Sequence, residues 1–92
     1  MSAENRPPII MYGRTRFCPD VTRSRLRLEE LGYEWTEYDV ENDPARKDEM
    51  TALTGRGNVP TLVIGESILV EPSNDELDRA LTAAGYDVSD DE

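Results

Sequence analysis

Cys18 has the clearest chemical potential of any residue in this sequence, and it is the chain's only cysteine. Pro19 follows it and opens a pattern with helical spacing. Because proline suits the first position of a helix, the sequence predicts that Cys18 lies at a helix N-terminus. The free backbone N–H groups and the dipole at such a terminus favour the thiolate, the nucleophilic form of cysteine. We therefore predict a reactive nucleophile at Cys18; the alternative is an inert buried side chain.

Basic residues concentrate around this cysteine. Five of the ten Lys and Arg residues fall within residues 14–27. Arg14 and Arg16 stand in the loop that leads to Cys18, where we expect them to form a local anion site. Together with Pro19, they are the residues predicted to support the thiolate.

The helix predicted after the cysteine carries further charges whose roles the pattern leaves open. Arg23, Arg25 and Arg27 either contribute to the electrostatic environment of the thiol or form an ordinary solvated helix face. Asp20 either opposes the thiolate or, as an acid in the first turn, stabilises the helix dipole.

The composition excludes several classes of function. A single cysteine rules out an intramolecular disulfide and an all-cysteine metal site within one chain. The absence of histidine rules out Ser-His and Cys-His catalysis and imidazole ligands for zinc, so no metal is expected. A net charge of −10 argues against nucleic acid or an anionic membrane as a partner.

The length of 92 residues predicts one domain. No apolar stretch approaches the roughly 18 residues that span a bilayer, and the polar first residues lack the apolar core of a signal peptide. We expect a cytoplasmic monomer, since a free thiol stays reduced in that compartment. The expected parts are a flexible N-terminus at residues 1–8, a domain at residues 9–85 and an acidic tail at residues 86–92.

Four apolar runs predict four strands around the cysteine loop. The run at residues 9–12 is continuous, which is typical of a strand buried on both faces. The run at 33–40 alternates aromatic and polar residues, which favours a sheet edge. The runs at 59–65 and 68–70 predict a hairpin with its turn at Glu66-Ser67.

Three helical patterns separate these strands. The first covers residues 19–31, the second begins with Asp43 as its cap, and the third opens with a capping box of Ser73 and Glu76. The order β-α-β-α-β-β-α predicts an α/β fold with a four-stranded mixed sheet and helices on both faces. The predicted buried positions are Val21, Leu28 and Leu31 in the first helix, Ala45, Met50 and Leu53 in the second, and Leu77, Ala80, Leu81 and Ala84 in the third.

Several segments, in this order, resemble the glutaredoxins, which have the thioredoxin fold, over residues 9–85. A strand ending in Tyr12 leads to Cys-Pro at a helix start, and that helix ends in Leu-x-x-Leu-Gly-Tyr. The segment at 38–43 and the Gly-Arg-Gly-Asn-Val-Pro loop at 55–60 also match the family pattern. The resemblance implies that Pro60 is preceded by a cis peptide bond beside the reactive cysteine, and that the backbone of Val59 pairs with the cysteinyl part of glutathione.

The resemblance also implies a binding site for a low-molecular-weight thiol. The family's Gly-Gly-x-Asp before the last helix is replaced here by residues 71–75, a stretch similar to that of the mycoredoxins. The thiol is therefore glutathione or a similar molecule, and a plain capped helix is the alternative at this position. The residues implied in thiol binding are Tyr12, Arg56, Val59, Pro60, Ser73 and Asn74.

The motif at the cysteine departs from the dithiol form of the family, because Val21 stands where the second cysteine of Cys-Pro-x-Cys would be. The resemblance then implies a monothiol oxidoreductase for cell redox homeostasis, whose partners are glutathionylated or similar mixed-disulfide proteins. Two alternatives remain. One is a binding module without turnover, in which Cys18 reacts like an ordinary thiol. The other is an iron–sulfur carrier formed by two chains, although the Cys-Gly-Phe-Ser motif of that branch is absent.

Overall fold

One mixed sheet forms the centre of the protein in the computed structural model, which describes residues 6–88. The order of the strands in the sheet is β2-β1-β3-β4, in which β1 runs parallel to β2 and antiparallel to β3. The predicted order of elements and the edge position of β2 are therefore confirmed. The strands are β1 (Ile9–Gly13), β2 (Thr36–Asp39), β3 (Thr61–Ile64) and β4 (Ser67–Val70), and the helices are α1 (Pro19–Leu31), α2 (Pro44–Thr54) and α3 (Asn74–Ala83).

The core consists of two clusters, because successive strand residues point to opposite faces of the sheet. In the larger cluster, Ile9 and Met11 of β1 pack with residues of α1 and α3. In the smaller cluster, Tyr12 of β1 packs with Val40 and with Met50 of α2. Helices thus cover both faces of the sheet, as predicted.

The helices begin at the predicted caps, and α1 ends where the sequence predicts. α1 ends at Gly32, whose φ of 83° is the left-handed conformation that glycine favours. The side chain of Asp43 accepts a hydrogen bond from a backbone N–H of α2. At α3, the Glu76 N–H donates to Ser73 Oγ at 3.1 Å and the Ser73 N–H donates to Glu76 Oε1 at 2.9 Å, which completes the capping box.

Two predictions of local structure are wrong. The β3–β4 turn lies at Gly65-Glu66 rather than Glu66-Ser67, because Gly65 takes up a φ of 62° and Ser67 already pairs with β3. On α2, Ala45 and Leu53 are exposed, and only Met50 is buried. Among the buried clusters the helix meets only the smaller one, which leaves Ala45 and Leu53 exposed.

Two strands also begin later than predicted. β2 starts at Thr36, opposite Ile10, because Pro8 at the head of β1 has no N–H with which to extend the pairing. Trp35 lies before the strand and packs against the larger cluster. β3 starts at Thr61, directly after Pro60, which likewise lacks an N–H.

Contacts extend beyond residues 9–85 on both sides. The guanidinium of Arg6 lies 4.4 Å from the ring centroid of Tyr86, and the Tyr86 hydroxyl donates to the Pro7 carbonyl at 2.6 Å. The remainder of the predicted flexible N-terminus and acidic tail lies outside the described residues. Between residues 6 and 88, no helix has the length and apolar character needed to cross a membrane.

Candidate functional site

Cys18 occupies the N-cap position of α1, as predicted. Its backbone is extended, with φ −150° and ψ 116°, and its carbonyl accepts the first helical hydrogen bond from the Thr22 N–H at 2.9 Å. The thiol is free and its residue is only 6% exposed. It therefore lies at the positive end of the helix dipole in a mostly desolvated position, where interactions with charge are stronger than in water.

The peptide bond between Val59 and Pro60 is cis, which confirms what the resemblance implied. Pro60 is buried, and Val59 packs against both core clusters. The larger of these clusters also contains Cys18. The loop before β3 therefore belongs to the same packed region as the cysteine.

A groove of about 580 Å³ borders the cysteine loop, and we call it the basic groove. Three of the residues predicted from the sequence, Arg14, Arg16 and Val59, line it together. Its cations outnumber its single carboxylate by three to one. The residues that line the basic groove are Arg14, Arg16, Val40, Glu41, Pro44, Lys47, Gly57 and Val59.

The carboxylate in this groove belongs to Glu41, which the sequence analysis did not single out. Arg16 Nε donates to Glu41 Oε1 at 3.0 Å, and Arg14 Nη1 lies 3.9 Å from Glu41 Oε2. The hydrogen bond from Arg16 lowers the pKa of Glu41 against a smaller effect of desolvation. Part of the positive charge predicted to support the thiolate is thus engaged by an internal acid.

A second groove, of about 870 Å³, follows the outer side of α1, and we call it the α1 groove. Phe17 and Pro19, the neighbours of Cys18 in sequence, line one part of it, and Asn74 at the start of α3 also contributes. Phe17 is 76% exposed, which is unusual for a large apolar side chain. Pro19 and Asn74 therefore line a different groove from Arg14, Arg16 and Val59.

The other residues implied in thiol binding have partners of their own. The Tyr12 hydroxyl donates to Glu49 on α2 at 3.2 Å, and both burial and Glu49 raise the pKa of Tyr12. Arg56 is exposed in the turn after α2, and the Ser73 N–H is bonded to its own helix. No group of three or more Cys, Asp or Glu side chains that could hold a metal ion occurs in the described chain.

The structure gives Arg25, whose role the sequence left open, a place in a hydrogen-bond network with Glu37 and Trp35. Arg25 Nε donates to Glu37 Oε1 at 3.1 Å, and Arg25 Nη2 donates to Glu37 and to the Arg14 carbonyl, the latter at 3.0 Å. Trp35 Nε1 donates to Glu37 Oε1 at 3.0 Å. The signal in the sequence was the acid at position 37 within the predicted edge strand at 33–40.

This network predicts an effect of pH on stability. Burial raises the pKa of Glu37, but hydrogen bonds from Arg25 and Trp35 more than offset it, so the pKa lies below the ordinary 4.5. Because the folded-state pKa is the lower one, the stabilisation is present above about pH 4.5 and is lost as the pH falls through the folded-state value. We expect Glu37→Gln to lose less unfolding free energy than wild type upon acidification.

Urea unfolding between about pH 6 and pH 3 measures this slope. Glu34→Gln is the charge-matched control, since Glu34 is exposed and lies outside the network. Equal slopes for Glu37→Gln and wild type would contradict the expectation.

A known protein family matches this sequence over more than half of its length. The glutaredoxin family model matches residues 9–69, which include Cys18, Val59 and Pro60 but not α3. No curated protein matches the sequence. The family match therefore covers the cysteine and the basic groove.

Solved glutaredoxin structures share the fold. The glutaredoxin from Archaeoglobus fulgidus has a TM-score of 0.72 at 19% identity, over 82% of this chain and 86% of its own. The solution structure of glutaredoxin from Brucella melitensis has a TM-score of 0.62 at 28% identity, over 91% and 87%. The holo form of glutaredoxin C1 from Populus tremula x tremuloides has a TM-score of 0.63 at 23% identity, over 86% and 87%. The thioredoxin-like fold predicted from the sequence is confirmed.

Proposed function

The chain belongs to the glutaredoxin family, and we propose that it uses Cys18 alone to reduce mixed disulfides between proteins and glutathione or a similar thiol. Membership of the family supports a thiol–disulfide oxidoreductase function. The observation that carries the proposal is the position of Cys18 at the N-cap of α1, at the end of a loop whose Arg14 and Arg16 line the basic groove. In this proposal the protein acts as a cytoplasmic monomer in cell redox homeostasis.

The reaction has two exchange steps. The Cys18 thiolate attacks the glutathione sulfur of the mixed disulfide, forming a new S–S bond while the bond to the client protein breaks. The client sulfur leaves as a thiolate and takes a proton from water. A free glutathione thiolate then attacks the glutathione sulfur on Cys18, releasing glutathione disulfide and restoring the Cys18 thiolate. Each cycle consumes one free glutathione: its thiol is oxidised, the client sulfur is reduced to a thiol, and the glutathione of the mixed disulfide becomes the other half of glutathione disulfide.

The absence of a second cysteine limits the substrates. The residue in the first turn of α1 where a second cysteine would stand is Val21, which is fully buried. No thiol is therefore available there to resolve a bond between Cys18 and a client protein. An attack on a protein–protein disulfide would leave Cys18 attached to the client until a free thiol released it. Mixed disulfides of small thiols are therefore the favoured substrates.

The basic groove supports a small thiol that carries carboxylates. Arginine and carboxylate groups form charge-assisted hydrogen bonds, and glutathione has two carboxylates. Arg14, Arg16 and Lys47 lie on one side of the cysteine loop, where such groups can reach them. Glu41 competes for the same arginines.

Glu41→Gln is expected to strengthen the binding of an anionic thiol substrate. The change frees Arg14 and Arg16 from their internal carboxylate, and we expect KM for a glutathionylated peptide to fall roughly two- to fivefold, since exposed ion pairs are weak. Steady-state kinetics with kcat and KM measured separately test this. The matched control is Glu66→Gln, which removes an exposed acid on the β3–β4 turn. An unchanged or higher KM in Glu41→Gln would show that Glu41 does not compete with substrate.

The proposed function is tested by adding glutathione disulfide to the protein and measuring its intact mass, followed by turnover of a glutathionylated peptide with free glutathione. One glutathione adduct on Cys18 and sustained turnover are expected. An adduct without turnover, or no adduct at all, would favour the binding module. A coloured dimer that needs iron and sulfide would favour the cluster carrier instead.

A further inference from the structure

We propose that Arg25 is a positioning residue for Cys18: its guanidinium holds the loop that leads to the cysteine and favours the thiolate. The inference rests on the proposed role of Cys18 as the nucleophile. It assigns a function to a residue of α1 for which the sequence pattern left two interpretations open. The observation behind it is that Arg25 donates hydrogen bonds to the Arg14 carbonyl in the cysteine loop and to the half-buried Glu37 at the same time.

The helix geometry brings Arg25 toward the cysteine. The two residues are seven positions apart, which is close to two helical turns, so they lie on the same side of α1. Side chains on a helix lean toward its N-terminus, and the long Arg25 side chain therefore extends back along the first turn. Its Nη2 atom reaches the Arg14 carbonyl at 3.0 Å, within the loop before Cys18.

Glu37 fixes the orientation of this guanidinium. It accepts hydrogen bonds from both Nε and Nη2 of Arg25, which defines the plane of the fork. A Cβ atom placed on Gly13 would lie 3.0 Å from Glu37 Oε2 and 3.4 Å from Val21 Cγ1. The ion pair therefore lies at the junction of β1, β2 and the first turn of α1, where the cysteine loop begins.

Electrostatics agree with this geometry. The hydrogen bond with Glu37 raises the pKa of Arg25 against the effect of burial, and the charges of Glu37 and of the Cys18 thiolate add to it. The elements around the network and the cysteine carry further charges: Arg14 and Arg16 in the loop with their partner Glu41, Asp20, Arg23 and Glu29 on α1, and Asp39 on β2.

The test is the rate of Cys18 alkylation by iodoacetamide as a function of pH, which needs no disulfide substrate. We expect Arg25→Gln to lower the rate at pH 7 by roughly three- to tenfold and to move the rise of the rate to higher pH, because a nearby cation favours the thiolate. Arg25→Lys keeps the charge, and its profile should lie closer to that of wild type. Arg27→Gln makes the same charge change on α1, but Arg27 pairs with Asp78 on α3, and its profile should not move.

Three results would overturn the proposal. The first is a wild-type profile in Arg25→Gln. The second is a rate that falls by the same factor at every pH, which would indicate a purely structural role. The third is an equal shift in Arg27→Gln, which would indicate a general charge effect. Each variant's melting curve shows whether it is folded. Because alkylation reports the thiolate alone, a failure here leaves the proposed disulfide exchange to be judged by its own assay.

Discussion

Cys18→Ser is expected to abolish the glutathione adduct and to lower peptide turnover by about three orders of magnitude or more, as loss of a nucleophile typically does. A serine hydroxyl stays protonated at neutral pH and does not attack a disulfide sulfur under these conditions. No second cysteine can take over, because the chain has only one. Intact mass after exposure to glutathione disulfide and the rate of peptide turnover measure the two losses.

The loss of turnover in Cys18→Ser reports on the nucleophile only if the variant is folded. Cys18 is buried in the larger cluster, and a hydroxyl there could weaken the fold. Cys18→Ala keeps the site apolar and serves as a second variant. Both variants should unfold cooperatively, with midpoints within a few degrees of wild type. Residual turnover in two folded variants would mean that the cysteine is not the nucleophile.

Leu28→Ala is expected to lower the free energy of unfolding by about 2–5 kcal/mol, the range for a large-to-small change in a packed core. Leu28 is fully buried between α1 and the sheet. The free energy of unfolding of a small domain is itself low, so a loss of this size is a large fraction of it. Chemical denaturation followed by circular dichroism measures the change. The loss should exceed that of any surface substitution discussed above.

Leu26→Ala is the matched control, since it removes the same atoms from the same helix. Leu26 is 58% exposed, and surface substitutions usually change stability by less than about 0.5 kcal/mol. Alanine favours the helix at least as well as leucine, so a similar loss in both variants would mean that burial of Leu28 against the sheet is not the source of its stabilising effect.

The sequence was sufficient for features that local chemistry determines. Proline after Cys18, glycine after Leu31 and the Ser73–Glu76 pair each restrict the backbone at their own positions, and both ends of α1 and the start of α3 followed from them. The edge position of β2 followed from the two-residue alternation of aromatic and polar residues in its segment, which is typical of edge strands.

The side-chain partners could not be predicted, because they depend on how the elements pack. Arg16 was expected beside the thiol, but its guanidinium binds Glu41, a residue that the fold brings close from 25 positions along the chain. Leu53 was expected in the core, but α2 covers too little of the sheet to bury it. Arg25 was ambiguous because its partner Glu37 lies on another element.

The contact between Arg6, Pro7 and Tyr86 has a consequence for engineering. Both ends of the described chain meet there, next to the start of β1, whereas the cysteine loop leaves the opposite end of that strand. Close termini favour circular permutation and insertion into a host protein. A fusion partner attached through either end would emerge on the side of the domain away from Cys18. The domain could therefore serve as a tethered redox module with its reactive side left open.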